Sequence, residues 1–190
     1  MATALLLLCI APTASSREGR FPDSSEPLDE AGRRSAGHER IEERFRARMF
    51  RSPARAAEET AGALGLDAAI AEELADIDHG SWSGRSFAEI GARPFTDWLA
   101  HPDRGTPDGE SMEQVRARVG RWLDHVAGLD SAICAITHPM TVRAALAHAI
   151  GIPLQATLAI DIAPLSRTIL SFNRSWRLQS LGLAEMAPRG

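Results

Sequence analysis

The sequence predicts a three-layer α/β/α sandwich with a mainly parallel central sheet. Three observations carry that reading. Residues 5–10 (Leu-Leu-Leu-Leu-Cys-Ile) and 132–137 (Ala-Ile-Cys-Ala-Ile-Thr) are short, almost wholly apolar runs closed by proline-containing turns, the pattern of strands buried on both faces. Between them, Met112, Val115, Val119, Trp122, Leu123 and Val126 recur at helical spacing. The 190 residues, 44% hydrophobic and 24% charged, suit one domain over 1–190 with a sizeable core.

Taken in order, the first run is the first strand, broken by Pro12 and delivering its C-terminal end into a polar loop over residues 13–23. A helix follows over 27–36, with acids early and bases late as the helix dipole favours. Met49, Phe50 and Arg51 form a short strand. Ser52 with Pro53 reads as an N-cap and first helical proline, opening a helix through Ala63 that Gly65 ends. Residues 68–71 are a further strand candidate, and 74–84 read as a polar loop. Two short helices are expected over 87–90 and 94–99, then an excursion rich in proline and glycine over 101–109. Glu110 and Ser111 lead into the long amphipathic helix. After the second apolar strand and His138-Pro139, a helix over 141–150 stops at Gly151. Two alternating strands, 168–172 and 176–180, turn on Asn173-Arg174-Ser175.

Composition removes several function classes. A formal charge of −4 and a pI near 5.9 speak against nucleic acid or an acidic membrane surface as partner. The chain has no tyrosine and few other aromatics on which bases would stack. Cys9 and Cys134 both lie in apolar runs and read as reduced core thiols of a cytoplasmic protein. Residues 1–10 have the outline of a short signal peptide, yet their polar start lacks a basic residue and Leu8 before Cys9 does not suit a lipoprotein site; the first-strand reading is preferred.

Several segments carry a family resemblance in a fixed order. They are the strand and loop from Leu6 to Thr13 with Gly19-Arg20, Pro27-Leu28 with Gly32, Ser52-Pro53 with Thr60-Ala61, and Asp76-Ile77-Asp78-His79-Gly80-Ser81-Trp82. Gly109-Glu110-Ser111 with Arg118, and Thr137-His138 closing a strand, complete the set. In this order they resemble the histidine phosphatase, or phosphoglycerate mutase-like, superfamily. The resemblance implies a sandwich fold and phosphoryl transfer through a histidine after the first strand. In that family the histidine is flanked by two arginines and a second histidine, and a carboxyl group protonates the leaving oxygen.

The resemblance puts Cys9 on the first arginine, Ile10 on the nucleophilic histidine and Ala56 on the second arginine. Arg55 stands one residue early, about 100° around a helix, and does not substitute directly. His138 falls on the second histidine and Asp76 on the acid. His138 reads either as a base or ligand contact or as a strand-end histidine bonded to backbone. Asp76 reads either as a retained acid or as a carboxylate capping Ser81 or neighbouring amides. Cys9 would need an electropositive setting to act as a nucleophile, and the position six residues on is Ser15, not arginine. His79 and Asp78 are too close in sequence to converge readily on one ion, so no metal is expected. Arg17, Arg20 and Arg118 are candidates for an anion-attracting rim.

The expectation is therefore a histidine-phosphatase-fold protein without the usual phosphohistidine chemistry, binding a small anionic or phosphorylated metabolite. The expected ligand-contacting positions are Cys9, Ile10, Arg20, Arg55, Ala56, Glu110 and His138. No cofactor, nucleic acid or membrane is expected, and a homodimer is. The alternative is a divergent phosphomonoesterase or mutase-like enzyme running on Asp76 and His138.

Overall fold

The computed structural model describes residues 2–182; Met1, at the head of the signal-like stretch, lies outside them. In chain order the strands are β1 (Thr3–Cys9), β2 (Met49–Arg51), β3 (Ala69–Ile70), β4 (Ala132–Thr137), β5 (Arg167–Asn173) and β6 (Ser175–Gly182). The helices are α1 (Ala14–Glu18), α2 (Glu30–His38), α3 (Arg55–Ala63), α4 (Phe87–Ile90), α5 (Ala92–Ala100), α6 (Met112–Ala127), α7 (Pro139–Ile150) and α8 (Leu154–Thr157).

The sheet runs β3-β2-β4-β1-β5-β6. The first four strands are parallel, and β5 and β6 close one edge antiparallel. The mainly parallel sandwich is thus the observed fold. β1 explains its own composition. Leu5, Leu7 and Cys9 join the core under α6 and α7, while Leu6 and Leu8 enter a second core with Phe45, Ala57 and Ala61. A strand buried on both faces has no position for a polar side chain, so alternation gives way to a continuous apolar run. Each of these leucines is at most 1% exposed, and truncating one to alanine should cost about 2–5 kcal/mol.

Local differences from expectation have identifiable causes. The stretch after Pro12 is not all loop: Thr13 and Ser16 form a reciprocal capping box that opens α1, and Gly19 ends it at φ 64°. β1 stops at Cys9, so Ile10 lies just past the strand. α7 begins at Pro139, two residues earlier than expected, with His138 at its N-cap. α8 had no periodicity strong enough to reveal it. The hairpin between β5 and β6 turns on Arg174 at φ 70°.

Candidate functional site

Strands β2, β4 and β1 are adjacent and parallel, so their C-terminal ends open on one edge of the sheet, where open α/β folds bind ligands. Ile10 donates its amide to the Thr137 carbonyl (2.8 Å), and Ser52 donates its own to Ile136 (2.9 Å). Three side chains far apart in sequence, Ile10, Ser52 and His138, are thereby set side by side.

Ser52 is not the N-cap of α3. That helix starts at Arg55, with Ala54 as N-cap and no side-chain bond there. The Ser52 hydroxyl instead lies 2.9 Å from His138 Nε2 and accepts the Ala54 amide at 3.2 Å. On the other side of the ring, His138 Nδ1 is 3.5 Å from Asp76 Oδ2. His138 is therefore held by side chains, not by backbone as one reading expected. Asp76 Oδ1 accepts the Ile77 amide (2.9 Å), so its local partner is Ile77 and not Ser81. Burial pushes the His138 pKa down; the Asp76 charge opposes that shift and Arg118 adds to it.

Arg118 does not form an anion-attracting rim. Its guanidinium takes both oxygens of Glu110 (2.8 and 2.9 Å) and the carbonyls of Glu73, Ala75 and Asp76 (2.7–2.9 Å). Glu110 lines neither lobe of the cleft, contrary to its expected place among ligand contacts. Together the pair clamps the loop that carries Asp76. Arg55 also points elsewhere: it pairs with Glu59 at 2.9 Å on the surface and lines neither lobe. Arg17 pairs with Asp29, and Arg20, at the cleft wall, pairs with Glu18 at 2.8 Å.

The cleft has two lobes that share Ile10, Thr13, Pro22, Asp76, His79 and His138. The larger, about 420 Å³, is mostly apolar, lined by Phe21, Phe87, Phe95, Trp98 and Met140 and also by Cys9, Arg20 and Arg143. The smaller, about 340 Å³, is lined by Ile10, Ala54 and Ala56 and by the acidic residues Asp23, Glu26, Asp76 and Asp78. No arginine lines this smaller lobe, and the chain contains no lysine.

Cys9 is in the wall but chemically quiet. Burial, reinforced by the Asp76 charge, raises its pKa to about 12, and burial raises Cys134 to about 12 as well. A thiol so far from thiolate is a poor nucleophile at neutral pH. Among the described residues no three His, Cys, Asp or Glu side chains converge as a metal site, and no helix is long and apolar enough to cross a membrane.

Sequence reasoning missed three groups here. Arg143 lines the larger lobe while bonding the Thr157 and Ile160 carbonyls (2.8–3.2 Å); its place on α7, in the second turn after the His138 N-cap, was the available signal. Glu26 accepts the Ser15 amide (2.7 Å) and hydroxyl, which brings a loop carboxylate to the cleft. His79, only 4% exposed, packs edge-on against Phe21 and Trp98, with centroids 4.8 and 5.9 Å away.

A profile of the histidine phosphatase superfamily (branch 1) matches residues 5–183, and the chain belongs to that family. It is 32% identical over 179 residues to the Bifunctional protein Rv2228c of Mycobacterium tuberculosis, covering 86% of this chain and 49% of that protein. The chain spans about half the length of the curated relatives it matches. Among solved structures, a mycobacterial glucosyl-3-phosphoglycerate phosphatase superposes with a TM-score of 0.80 at 21% identity, over 97% of this chain and 100% of that one. Phosphoserine phosphatase from Entamoeba histolytica, in complex with 3-phosphoglyceric acid, gives 0.83 at 18% identity, over 96% and 98%. Such structural likeness establishes the fold.

Proposed function

We propose that this histidine phosphatase-fold domain does not transfer phosphoryl groups through a phosphohistidine and instead uses its cleft to bind a small metabolite. The observation that supports this is the lining of the smaller lobe: Ile10 just past β1, four acidic residues, and neither arginine nor lysine. Phosphoryl transfer needs a nucleophile and a cationic cradle for the charge on the transferred oxygens. A hydrocarbon side chain cannot attack phosphorus. Removal of one charge-stabilising donor costs about 3–4 kcal/mol of transition-state stabilisation, and on the sequence resemblance Cys9 and Ala56 stand where the family has two such donors. Each carboxylate about 5 Å from a phosphoryl charge would oppose it by roughly 3 kcal/mol at an effective dielectric near 20. An anionic or phosphorylated ligand, as the family resemblance implies, would have its charged group beside Arg20 or Arg143 in the larger lobe.

The test is a phosphomonoesterase panel combined with trapping of acid-labile phosphoenzyme. The expected result is no turnover above blank and no trapped phosphate. Turnover that disappears with His138→Ala would refute the proposal.

One contact favours a second reading, a divergent phosphomonoesterase run by Asp76 and His138: the 3.5 Å approach of Oδ2 to Nδ1. In that enzyme Asp76→Asn and His138→Ala would each abolish the activity while the variants remained folded. Retention of activity by both would eliminate this reading.

A further inference from the structure

We infer that the larger lobe is a site for an organic carboxylate with an aromatic body, its carboxylate held by Arg143. This deepens the proposed metabolite-binding role and rests on it.

The first observation is an arginine left half-used. Arg118 shows the satisfied state: its guanidinium makes five hydrogen bonds to oxygen, two of them to the Glu110 carboxylate. Arg143 is held in place but not neutralised. Its Nε donates to the Thr157 and Ile160 carbonyls at 3.2 and 3.1 Å, and Nη2 donates to the same Ile160 oxygen at 2.8 Å. That oxygen occupies the side-on fork formed by Nε and Nη2. The end-on fork between Nη1 and Nη2 meets no further oxygen among the described residues; Nη1 has only the Met140 sulfur at 3.4 Å, a weak acceptor. Burial pushes the Arg143 pKa down, and Asp161, Cys9 and Asp76 oppose that shift from a distance. The guanidinium stays charged all the same. A partly desolvated cation with no anion bonded to it is stabilised by one that arrives.

The second observation is where the free fork lies. Arg143, Met140 and His138 all line the larger lobe. Met140 is three residues nearer the start of α7, so a nitrogen against its sulfur stands on the side of Arg143 toward His138 and the ligand edge of the sheet. The two backbone carbonyls fix the guanidinium before a ligand enters, which reduces the ordering left to binding.

The lining of the lobe suits the rest of such a ligand. Phe21, Phe87, Phe95 and Trp98 contribute to it. Phe87 and Phe95 stack at 5.0 Å, and Phe21 meets Phe87 and Trp98 edge-on at 5.0 and 5.9 Å. A volume of about 420 Å³ is within the range of small-ligand pockets. A planar carboxylate matches one guanidinium fork with two parallel bonds and carries a single charge. A phosphomonoester brings close to two. The other arginine of the lobe, Arg20, is paired with Glu18, and Asp76 in the same lobe opposes a second negative charge.

The experiment is isothermal titration calorimetry on the full chain with four probes: 3-phenylpropionate, 3-phenylpropanamide, propionate and 2-phenylethyl phosphate. The phenylpropionate should bind at least about tenfold more tightly than its amide, the difference between a charge-assisted pair and a neutral contact. It should exceed propionate, which lacks the ring, by at least about tenfold as well, and it should bind more tightly than the phosphate. Arg143→Gln should abolish the preference for carboxylate over amide and leave the amide affinity unchanged, a split that general loss of structure does not produce. Arg20→Gln should keep the preference. Equal binding of carboxylate and amide, tighter binding of the phosphate, a preference that survives Arg143→Gln or is lost with Arg20→Gln, or no binding by any probe would overturn the assignment. The native-protein comparison decides the matter even if a variant fails to fold. Absence of phosphatase turnover together with no carboxylate preference removes only the carboxylate assignment, whereas turnover lost with His138→Ala removes the underlying reading of the cleft.

Discussion

Arg118→Ala should destabilise the domain by about 3 kcal/mol. The guanidinium makes five hydrogen bonds, two to Glu110 and three to the carbonyls of Glu73, Ala75 and Asp76. Its side chain is 14% exposed and that of Glu110 is 24%. Breaking a fully buried pair by removing one partner costs about 3–5 kcal/mol, and the lower end applies because Glu110 can rehydrate. For a chain of this size the loss corresponds to a fall of about 6–12 °C in melting temperature. Arg118→Lys retains the charge but loses the planar fork, so it should recover only part of the loss. Urea unfolding and thermal melts followed by circular dichroism measure both variants. A loss below about 1 kcal/mol for the alanine, or a lysine variant identical to wild type, would refute the view that this clamp holds the Asp76 loop.

Two further outcomes follow from packing and protonation. Gly32→Ala places a Cβ 2.2 Å from the Pro12 carbonyl oxygen, whereas at Gly120 the atoms nearest the added methyl belong to the His148 ring, 2.5 Å away. Backbone cannot step aside and a partly exposed side chain can, so thermal melts should show Gly32→Ala far more destabilised than Gly120→Ala; equal melting would contradict this. Burial lowers the pKa of both His79 and His138 from 6.5. The unfolded chain then binds more protons below that pH, so stability is complete above about pH 6.5 and falls as pH is lowered through it. Urea unfolding between about pH 5 and 8 should show that decline, weakened by His79→Gln or His138→Gln; stability that is flat or rises on acidification would disprove the assignment.

Much of the scaffold was legible because its signals are local. The leucines of β1, the helical spacing from Met112 to Val126 and the turn at His138-Pro139 each show in a window of a few residues. The ordered motifs of the family supplied the sheet's ligand edge in the same way. What escaped was set by distant contact. Ser52 has the local signature of a helix cap, but a histidine 86 residues away takes its hydroxyl. Arg118 looks like a free surface arginine until the Asp76 loop closes over it. Arg55 lies one position from where the resemblance expects an arginine, and it pairs with Glu59 at i+4 on the surface. His79 reads as a loop residue, and its burial depends on Phe21 and Trp98 arriving from separate segments. α1 was local yet missed, since its capping box lies in a stretch of small polar residues that also suits a loop.

The placing of β1 between β4 and β5 has a consequence for how the cleft comes into being. Ala4 registers with Ala132 on one side and Ser171 on the other. Ile10 and His138 therefore become neighbours only after a loop of more than a hundred residues has closed, a pairing that is slow on topological grounds. During synthesis β1 is made before β4, and the cleft is incomplete until β4 has followed. The cleft takes shape abruptly, as a property of the finished sheet, and any ligand that occupied it would favour the folded molecule over incompletely folded chains.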